Sequence, residues 1–163
     1  MRILQADKDQ LYIVRDLAYT IWPDAYGEIL SEAQLDYMLE NFYAIPALEM
    51  QMENHHVFLL AEENGVFYGF ASYEVNCNAT GKTKLHKIYV LPETQGKGLG
   101  KLLLAEVEKA ALQAGNRILF LNVNRYNIAQ EFYKRLGFDI VHEEDIEIGN
   151  GYLMEDFVME KPL

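Results

Sequence analysis

The chain has 163 residues, of which 50% are hydrophobic and 24% charged, and its formal net charge is −11. This length and composition are typical of one globular domain, which we predict to span residues 1–163. The negative charge argues against a nucleic-acid partner, because such a partner requires a basic face. No apolar run approaches the roughly 18 residues of a membrane span, and the first residues lack a signal-peptide layout. We therefore predict a cytoplasmic protein with no membrane partner.

Few residues are available for a disulfide or a metal. Cys77 is the single cysteine, which excludes an intramolecular disulfide. None of the four histidines has the i, i+4 spacing of a helical zinc pair, so we predict no metal site. Cys77 has no evident histidine partner along the chain and is interpreted as a strand residue rather than a catalytic thiol.

Apolar residues at helical spacing predict four helices. Three of them begin at capping boxes, in which an N-cap acceptor is followed three residues later by glutamine, at Asp7, Ser31 and Asn127. Pro23 and Pro46 are interpreted as the ends of the first two helices. The remaining helix is predicted over about 100–114, where Gly115 suits the C′ position.

Seven strands are predicted between these helices, over 2–6, 57–61, 66–75, 83–91, 118–121, 138–141 and 152–160. The second and third form a hairpin, because Asn64-Gly65 is a strong turn signal. The run 118–121 is continuously apolar, which is typical of a parallel strand covered on both faces. We therefore predict an α/β (α+β) fold with a mixed central sheet and helices on both faces.

A glycine-rich loop, QGKGLG (95–100), joins a predicted strand to a predicted helix. The first N–H groups of a helix lack internal partners, and glycines let an anion approach them closely. The spacing fits neither a dinucleotide-binding G-x-G-x-x-G nor a Walker A loop, because Leu102 follows Gly100-Lys101 where a hydroxyl residue is needed. The loop therefore predicts a phosphate site of another class.

The chain resembles the GNAT superfamily of acyl-CoA-dependent N-acyltransferases in two blocks, HKIYVLPETQGKGLGKLLLAEVEKAA (86–111) and NIAQEFYKRLGF (127–138). The resemblance implies a mostly antiparallel sheet that splays at a site for acetyl-CoA, the co-substrate. It implies a pantetheine arm paired with the strand Ile88, Tyr89 and Val90, whose end offers an N–H group to the thioester oxygen. It also implies pyrophosphate bound by Gln95, Gly96, Lys97, Gly98, Leu99, Gly100 and Lys101.

Amine acetylation needs a neutral amine, a donor for the oxyanion and a proton or hydrogen bond for the leaving thiolate. The resemblance implies that Tyr133 faces the CoA sulfur and that Asn127 contacts the cofactor. Many relatives carry glutamate at the position of Lys84, so the general base is open. Glu74 is our first choice, His86 is the other side chain considered, and water relays are a third route.

One helix face and several aromatic residues indicate which amine could be the acceptor. Glu32, Asp36 and Glu40 recur every four residues, and a cationic substrate would relieve their repulsion; a solvated acidic face is the alternative. Tyr26 adds aromatic surface suited to ammonium groups. A fainter resemblance to bacterial PaiA-type spermidine/spermine acetyltransferases, in 30–54 and 151–161, makes a polyamine the favoured small-molecule acceptor.

We therefore predict an N-acetyltransferase that transfers acetyl directly to a primary amine in a ternary complex. The alternatives are a protein N-terminal or lysine acetyltransferase and a non-catalytic acyl-CoA sensor. The sensor stays an alternative because Lys84 stands where many relatives carry glutamate. A homodimer is compatible with the sequence, which does not set the oligomeric state.

Overall fold

The computed structural model describes all 163 residues and contains one seven-stranded sheet in the order β1-β2-β3-β4-β5-β7-β6. The strands are β1 (Arg2–Gln5), β2 (Val57–Glu63), β3 (Val66–Glu74), β4 (Thr83–Val90), β5 (Ile118–Asn124), β6 (Asp139–Gly149) and β7 (Tyr152–Pro162). The helices are α1 (Leu11–Tyr26), α2 (Glu32–Tyr43), α3 (Ile45–Glu53), α4 (Leu99–Gln113) and α5 (Ala129–Arg135). Every strand pair is antiparallel except β4–β5, which confirms the predicted mixed sheet.

The two faces of the sheet bury separate cores. On one face α1, α2 and α3 pack against Phe58, Leu60 and Phe70. On the other face α4 packs against Leu59, Ala71 and further alternate residues of the same strands. This period-two alternation places helices on both faces, as predicted. No helix is both long and apolar enough to cross a membrane.

The sheet splays between β4 and β5. Their parallel pairing covers only Thr83, Lys84 and Leu85, opposite residues 119–121. Beyond Leu85, β4 continues to Val90 along β3, while β5 continues to Asn124 along β7. The two strands therefore diverge and leave a gap inside the sheet.

The two prolines act differently from the prediction. Pro23 does not end α1, which continues to Tyr26. A proline in the last turn removes few helical bonds, and Trp22 before it is buried, so packing overrides the local bias against helix. Pro46 does mark the end of α2, but it also lies in the first turn of α3, a position that suits proline and that the sequence prediction missed.

Only part of the predicted capping is realised. Asp7 forms the complete box with Gln10, at a short 3₁₀ turn before α1. Ser31 accepts from the Gln34 N–H group at the start of α2. Asn127 accepts instead from the N–H group of Ala129, and α5 begins one residue later than an N-cap at Asn127 predicts.

The last two strands form a long hairpin that leans over α2. Its Asn150-Gly151 turn has positive φ at both residues, as a tight two-residue hairpin requires. The Tyr37 hydroxyl donates to the Ile148 carbonyl over 2.9 Å and the Gln34 amide to the Leu153 carbonyl over 3.0 Å. The sequence prediction ended the first of these strands at 141, because the acidic stretch that follows has no buried alternation.

Candidate active site

A cavity of about 710 Å³ occupies the gap between β4 and β5. It extends from the glycine loop at the start of α4 to α5 and the end of α1. Many of the residues predicted from the sequence line it, namely Tyr26, Ile88, Tyr89, Val90, Gln95, Gly96, Gly98, Leu99, Gly100, Lys101, Asn127 and Tyr133. Lys97, Glu74, Glu32, Asp36 and Glu40 are not among the lining residues.

The glycine loop presents backbone donors to this cavity. The N–H groups of Gly96, Gly98, Leu99, Gly100 and Lys101 make no backbone hydrogen bond. Since the same N–H groups lie at the N-terminus of a 15-residue helix, the helix dipole adds to their attraction for an anion. The arrangement is suited to phosphate groups.

The glycines of this loop are needed for two different reasons. Gly96 and Gly98 have φ values of +80° and +81°, which other residues rarely adopt, and a Cβ atom on either would meet no protein atom within 4 Å. A side chain there would therefore project into open space at the phosphate site. At Gly100, a Cβ atom would lie 3.1 Å from Cζ of Phe132, so this glycine permits close packing of α4 on α5.

Tyr133 lies on α5 with only 8% of its surface exposed. Its ring packs edge-on against Phe132 and Phe138, with centroid distances of 5.4 Å and 5.6 Å. Burial raises the pKa of the Tyr133 hydroxyl, and the nearby Tyr26 raises it further. The phenol therefore stays protonated at neutral pH and is available as a proton or hydrogen-bond donor.

Aromatic rings form the cavity wall on the α1 side. The Tyr26 and Tyr89 hydroxyls lie 2.7 Å apart, and Trp22 packs against both rings. Burial raises the pKa of both tyrosines. Tyr26, singled out for substrate contact, and Tyr89, singled out for cofactor contact, thus meet at one point of the cavity.

Glu74 reaches the cavity through a histidine. Oε1 of Glu74 lies 3.0 Å from Nε2 of His86, which lines the cavity, and 3.4 Å from Nε2 of His56. The pairing of β3 with β4 steps from Ser72–Lys87 to Tyr73–Leu85, so His86 is the extra residue of a β-bulge. Bulges next to active sites commonly redirect a side chain in this way.

These three side chains also bring their ligand-capable atoms within 4.8 Å of one another, which sequence spacing did not reveal. Burial lowers the pKa of His56 to about 4 and the pKa of His86 even further, so both rings are neutral at pH 7. With a proton on Nε2, His86 donates to Oε1 of Glu74 over 3.0 Å, whereas Nε2 of His56 lies 3.4 Å from the same oxygen without a hydrogen bond to it.

Lys87 is a cavity residue that the sequence prediction missed. Its Nζ donates to Oε1 of Gln51 over 2.7 Å and lies over the rings of Tyr43 and Phe58. Burial, aided by the charge of Lys84, lowers the pKa of Lys87 to about 7. A lysine on a strand gives no sign in the sequence that α3 will cover it.

We expect Lys87→Met to stabilise the protein in a pH-dependent way. Between pH 7 and 10.5 the unfolded chain binds the Lys87 proton more strongly than the folded chain, so the free energy of unfolding of the wild type rises with pH in that window. The advantage of the variant is therefore largest at or below pH 7 and disappears toward pH 10. Urea unfolding from pH 6 to pH 10 measures it. Lys109→Met, at an exposed lysine of α4, is the control, and a constant advantage at all pH values would contradict the shifted pKa.

The acidic face of α2 lies away from the cavity. Glu32, Asp36 and Glu40 share one side of the helix, as predicted, and all three are exposed. The acidic residue that the structure adds near the cavity is Asp156, which is 1% exposed on β7. Its carboxylate accepts from the amide of Asn122, a cavity residue, over 3.3 Å.

Comparison with known proteins is consistent with this geometry. The sequence profile described as the acetyltransferase (GNAT) family matches residues 13–138. The chain therefore belongs to the GNAT acetyltransferase family, which confirms the resemblance seen in the two sequence blocks.

Matches from Thermoplasma acidophilum, one to a solved structure and one to a curated sequence, cover nearly the whole chain. The crystal structure of PaiA N-acetyltransferase in complex with coenzyme A superposes with a TM-score of 0.82 at 27% identity, covering 99% of this chain and 98% of that one. A spermidine N(1)-acetyltransferase is 28% identical over 159 residues, which is 94% of this chain and 91% of the relative. Both matches support the placement of this chain in the PaiA-like branch of the family.

Other curated relatives match a shorter region. The L-amino acid N-acyltransferase MnaT of Escherichia coli is 36% identical over 83 residues, 49% of this chain and 48% of its own length. The chain spans about half the length, or less, of this relative and of two other curated N-acetyltransferases.

Proposed function

We propose that this protein transfers the acetyl group of acetyl-CoA to a primary amine, and that the acceptor is a small polycation such as spermidine. One observation carries the proposal: unpaired N–H groups of the glycine loop and the buried phenol of Tyr133 face the same cavity between β4 and β5. The full-length similarity to a spermidine acetyltransferase and to a coenzyme A complex supports both substrates.

The cofactor would lie along the gap in the sheet. Its pyrophosphate would accept hydrogen bonds from the unpaired N–H groups of Gly96 and 98–101, and Asn127 would contact the arm near α5. The acyl arm would pair with Ile88, Tyr89 and Val90, whose edge facing β5 has no strand partner beyond Leu85. An N–H group at this edge would stabilise the oxyanion as the amine attacks.

The reaction requires two proton transfers. The amine nitrogen forms a bond to the acetyl carbon, the carbon–sulfur bond breaks, and the sulfur takes the proton of Tyr133 or a hydrogen bond from it. The proton lost by the amine would pass through water to Glu74, whose carboxylate accepts from Nε2 of His86 over 3.0 Å. The lowered pKa of His86 makes that ring itself a poor proton acceptor. In this scheme Glu74 is the base, His86 positions its carboxylate, and Lys84 takes no part in the proton transfer.

A cationic acceptor is favoured by charge. The net charge of −11 and the exposed acids of α2 attract polycations over long distances, although Glu32, Asp36 and Glu40 do not line the cavity. Tyr26 lines it and offers an aromatic face to an ammonium group. A cytoplasmic location and a homodimer remain predictions from the sequence.

The experiment is a panel of acceptors assayed by release of free CoA thiol at several ionic strengths. We expect spermidine to have the highest kcat/KM, and we expect that value to fall with salt more steeply than for a monoamine, because salt screens long-range attraction. The exposed acids act by steering only, so Asp36→Asn with Glu40→Gln should flatten the salt dependence for spermidine. If a peptide N-terminus or a protein lysine exceeds every polyamine at low salt, the acceptor assignment is wrong. Absence of thiol release with every amine would favour a non-catalytic acyl-CoA sensor.

A further inference from the structure

Asp156 carries a buried carboxylate oxygen that has no hydrogen-bond partner. Oδ2 accepts from the amide of Asn122, whereas Oδ1 is enclosed and unpaired. Leaving a buried acceptor unpaired costs on the order of 1–3 kcal/mol, and more when the group is charged. Such a group persists in a fold mainly where it has a task that the empty protein does not show.

The position of Asp156 connects it with the cavity between β4 and β5. It lies on β7 opposite Asn124 of β5, next to the point where the sheet splays. Asn122 lines the large cavity and also a second cavity of about 290 Å³, so its side chain forms part of the wall between them. Tyr26 lines the large cavity and lies near enough for the Asp156 charge to raise the pKa of its hydroxyl.

The charges around Asp156 leave it without a dedicated cation. Desolvation raises the pKa of Asp156, as does Glu144, which stands opposite it on β6. Lys84 and Arg125 lower the pKa from a distance, but neither forms an ion pair with it. Arg125 is already held by acids of the β6–β7 hairpin, Glu143 and Asp145 among them. A positive group is therefore what this position lacks.

We propose that Asp156 is the ammonium-binding carboxylate of the acceptor site, with Oδ1 taking a cationic nitrogen of the amine substrate. The Asn122 side chain, whose amide donates to Glu144 over 2.8 Å and to Asp156 over 3.3 Å, separates Asp156 from the cavity and would have to turn aside for an ammonium group to reach Oδ1. A bound ammonium group would then donate the hydrogen bond that Oδ1 lacks. The inference rests on the proposed acetyl transfer. It makes one buried side chain, instead of the exposed acids of α2, the group that recognises a cationic amine.

The test compares Asp156→Asn with the wild type. Asparagine keeps the shape and can still accept from Asn122, but it removes the charge. We expect KM for spermidine to rise about 10-fold or more, since a hydrogen bond to a charged group is lost, with kcat changed less than threefold. KM for an arylamine, which is uncharged at neutral pH, should stay within twofold. Glu147→Gln is the matched control, because it removes an exposed acid of β6 that contacts neither Asn122 nor Asp156, and it should leave both values unchanged.

A structural role for Asp156 gives different results. We expect the Asn variant without ligand to melt at or above the temperature of the wild type, because an uncompensated buried acid is removed. Spermidine should raise the melting temperature of the wild type and not of the variant. An unchanged KM for spermidine, an equal rise for the arylamine, or a lower melting temperature for the variant without ligand would overturn the inference. If no amine releases thiol from the wild type, acetyl transfer itself is wrong, and the melting shift alone decides whether Asp156 binds a cation.

Discussion

Tyr133→Phe is expected to lower kcat by roughly 10²–10⁴-fold, the usual contribution of a positioned acid. The substitution removes one oxygen atom and keeps the ring that packs against Phe132 and Phe138. Because the raised pKa keeps the phenol protonated, the loss should be similar across neutral pH. Steady-state kinetics with spermidine and calorimetry with acetyl-CoA measure the two effects, and the affinity for acetyl-CoA should change less than about twofold.

The control for this substitution is Tyr126→Phe. Tyr126 precedes α5 and is 64% exposed, so loss of its hydroxyl should leave kcat unchanged. A kcat of the Tyr133 variant within about twofold of the wild type would return Tyr133 to the class of packing residues. The thiolate would then leave without an acid from the protein.

Gly98→Asp is expected to abolish measurable binding of acetyl-CoA. Gly98 is the N-cap of α4, and a Cβ atom there would enter open space beside the unpaired N–H groups of the loop. Aspartate adds bulk and a negative charge where a pyrophosphate needs neutral donors and a positive dipole. Calorimetric titration with acetyl-CoA gives the affinity, and circular dichroism should show the fold retained.

Backbone strain has to be separated from this loss. Gly65 has the same φ of +81° and equally open space at its Cβ position, but it lies in the β2–β3 turn. Gly65→Asp therefore carries the strain of a non-glycine residue without touching the cavity. We expect it to lower the melting temperature as much as Gly98→Asp does and to bind acetyl-CoA normally. Equal affinity in all three proteins would exclude the loop as the phosphate site.

Local pattern predicts most of the fold and fails where distant packing decides. The strands of the β2–β3 hairpin and α4 follow their hydrophobic period to within three residues. The continuation of α1 past Pro23 depends on the burial of Trp22, which sequence position does not reveal. The outer half of β6 was missed because charged, exposed residues of an edge strand have no buried face to mark them.

In the site, too, local pattern predicts what is contiguous in the chain and misses what depends on distant packing. The strand and loop over 88–101 are contiguous in the chain, so one motif predicts them together. Asp156 and Lys87 owe their properties to elements far away in sequence, which bury one carboxylate and one amine. The acids of α2 gave the clearest periodic signal, but they face solvent. Periodicity shows that residues share one side of a helix and does not show whether that side meets the substrate.

The divergence of β4 from β5 also bears on aggregation. An unpaired strand edge normally invites a strand from another molecule, and proteins protect such edges with charge, bulges or cover. Here the free edge beyond Leu85 lies inside the molecule, between α4 and α5, where the gap is walled by their side chains. These side chains provide cover of the kind that keeps a strand of another molecule from a free edge. The fold can thus contain an unpaired strand edge and still limit the pairing of that edge with other copies of the protein.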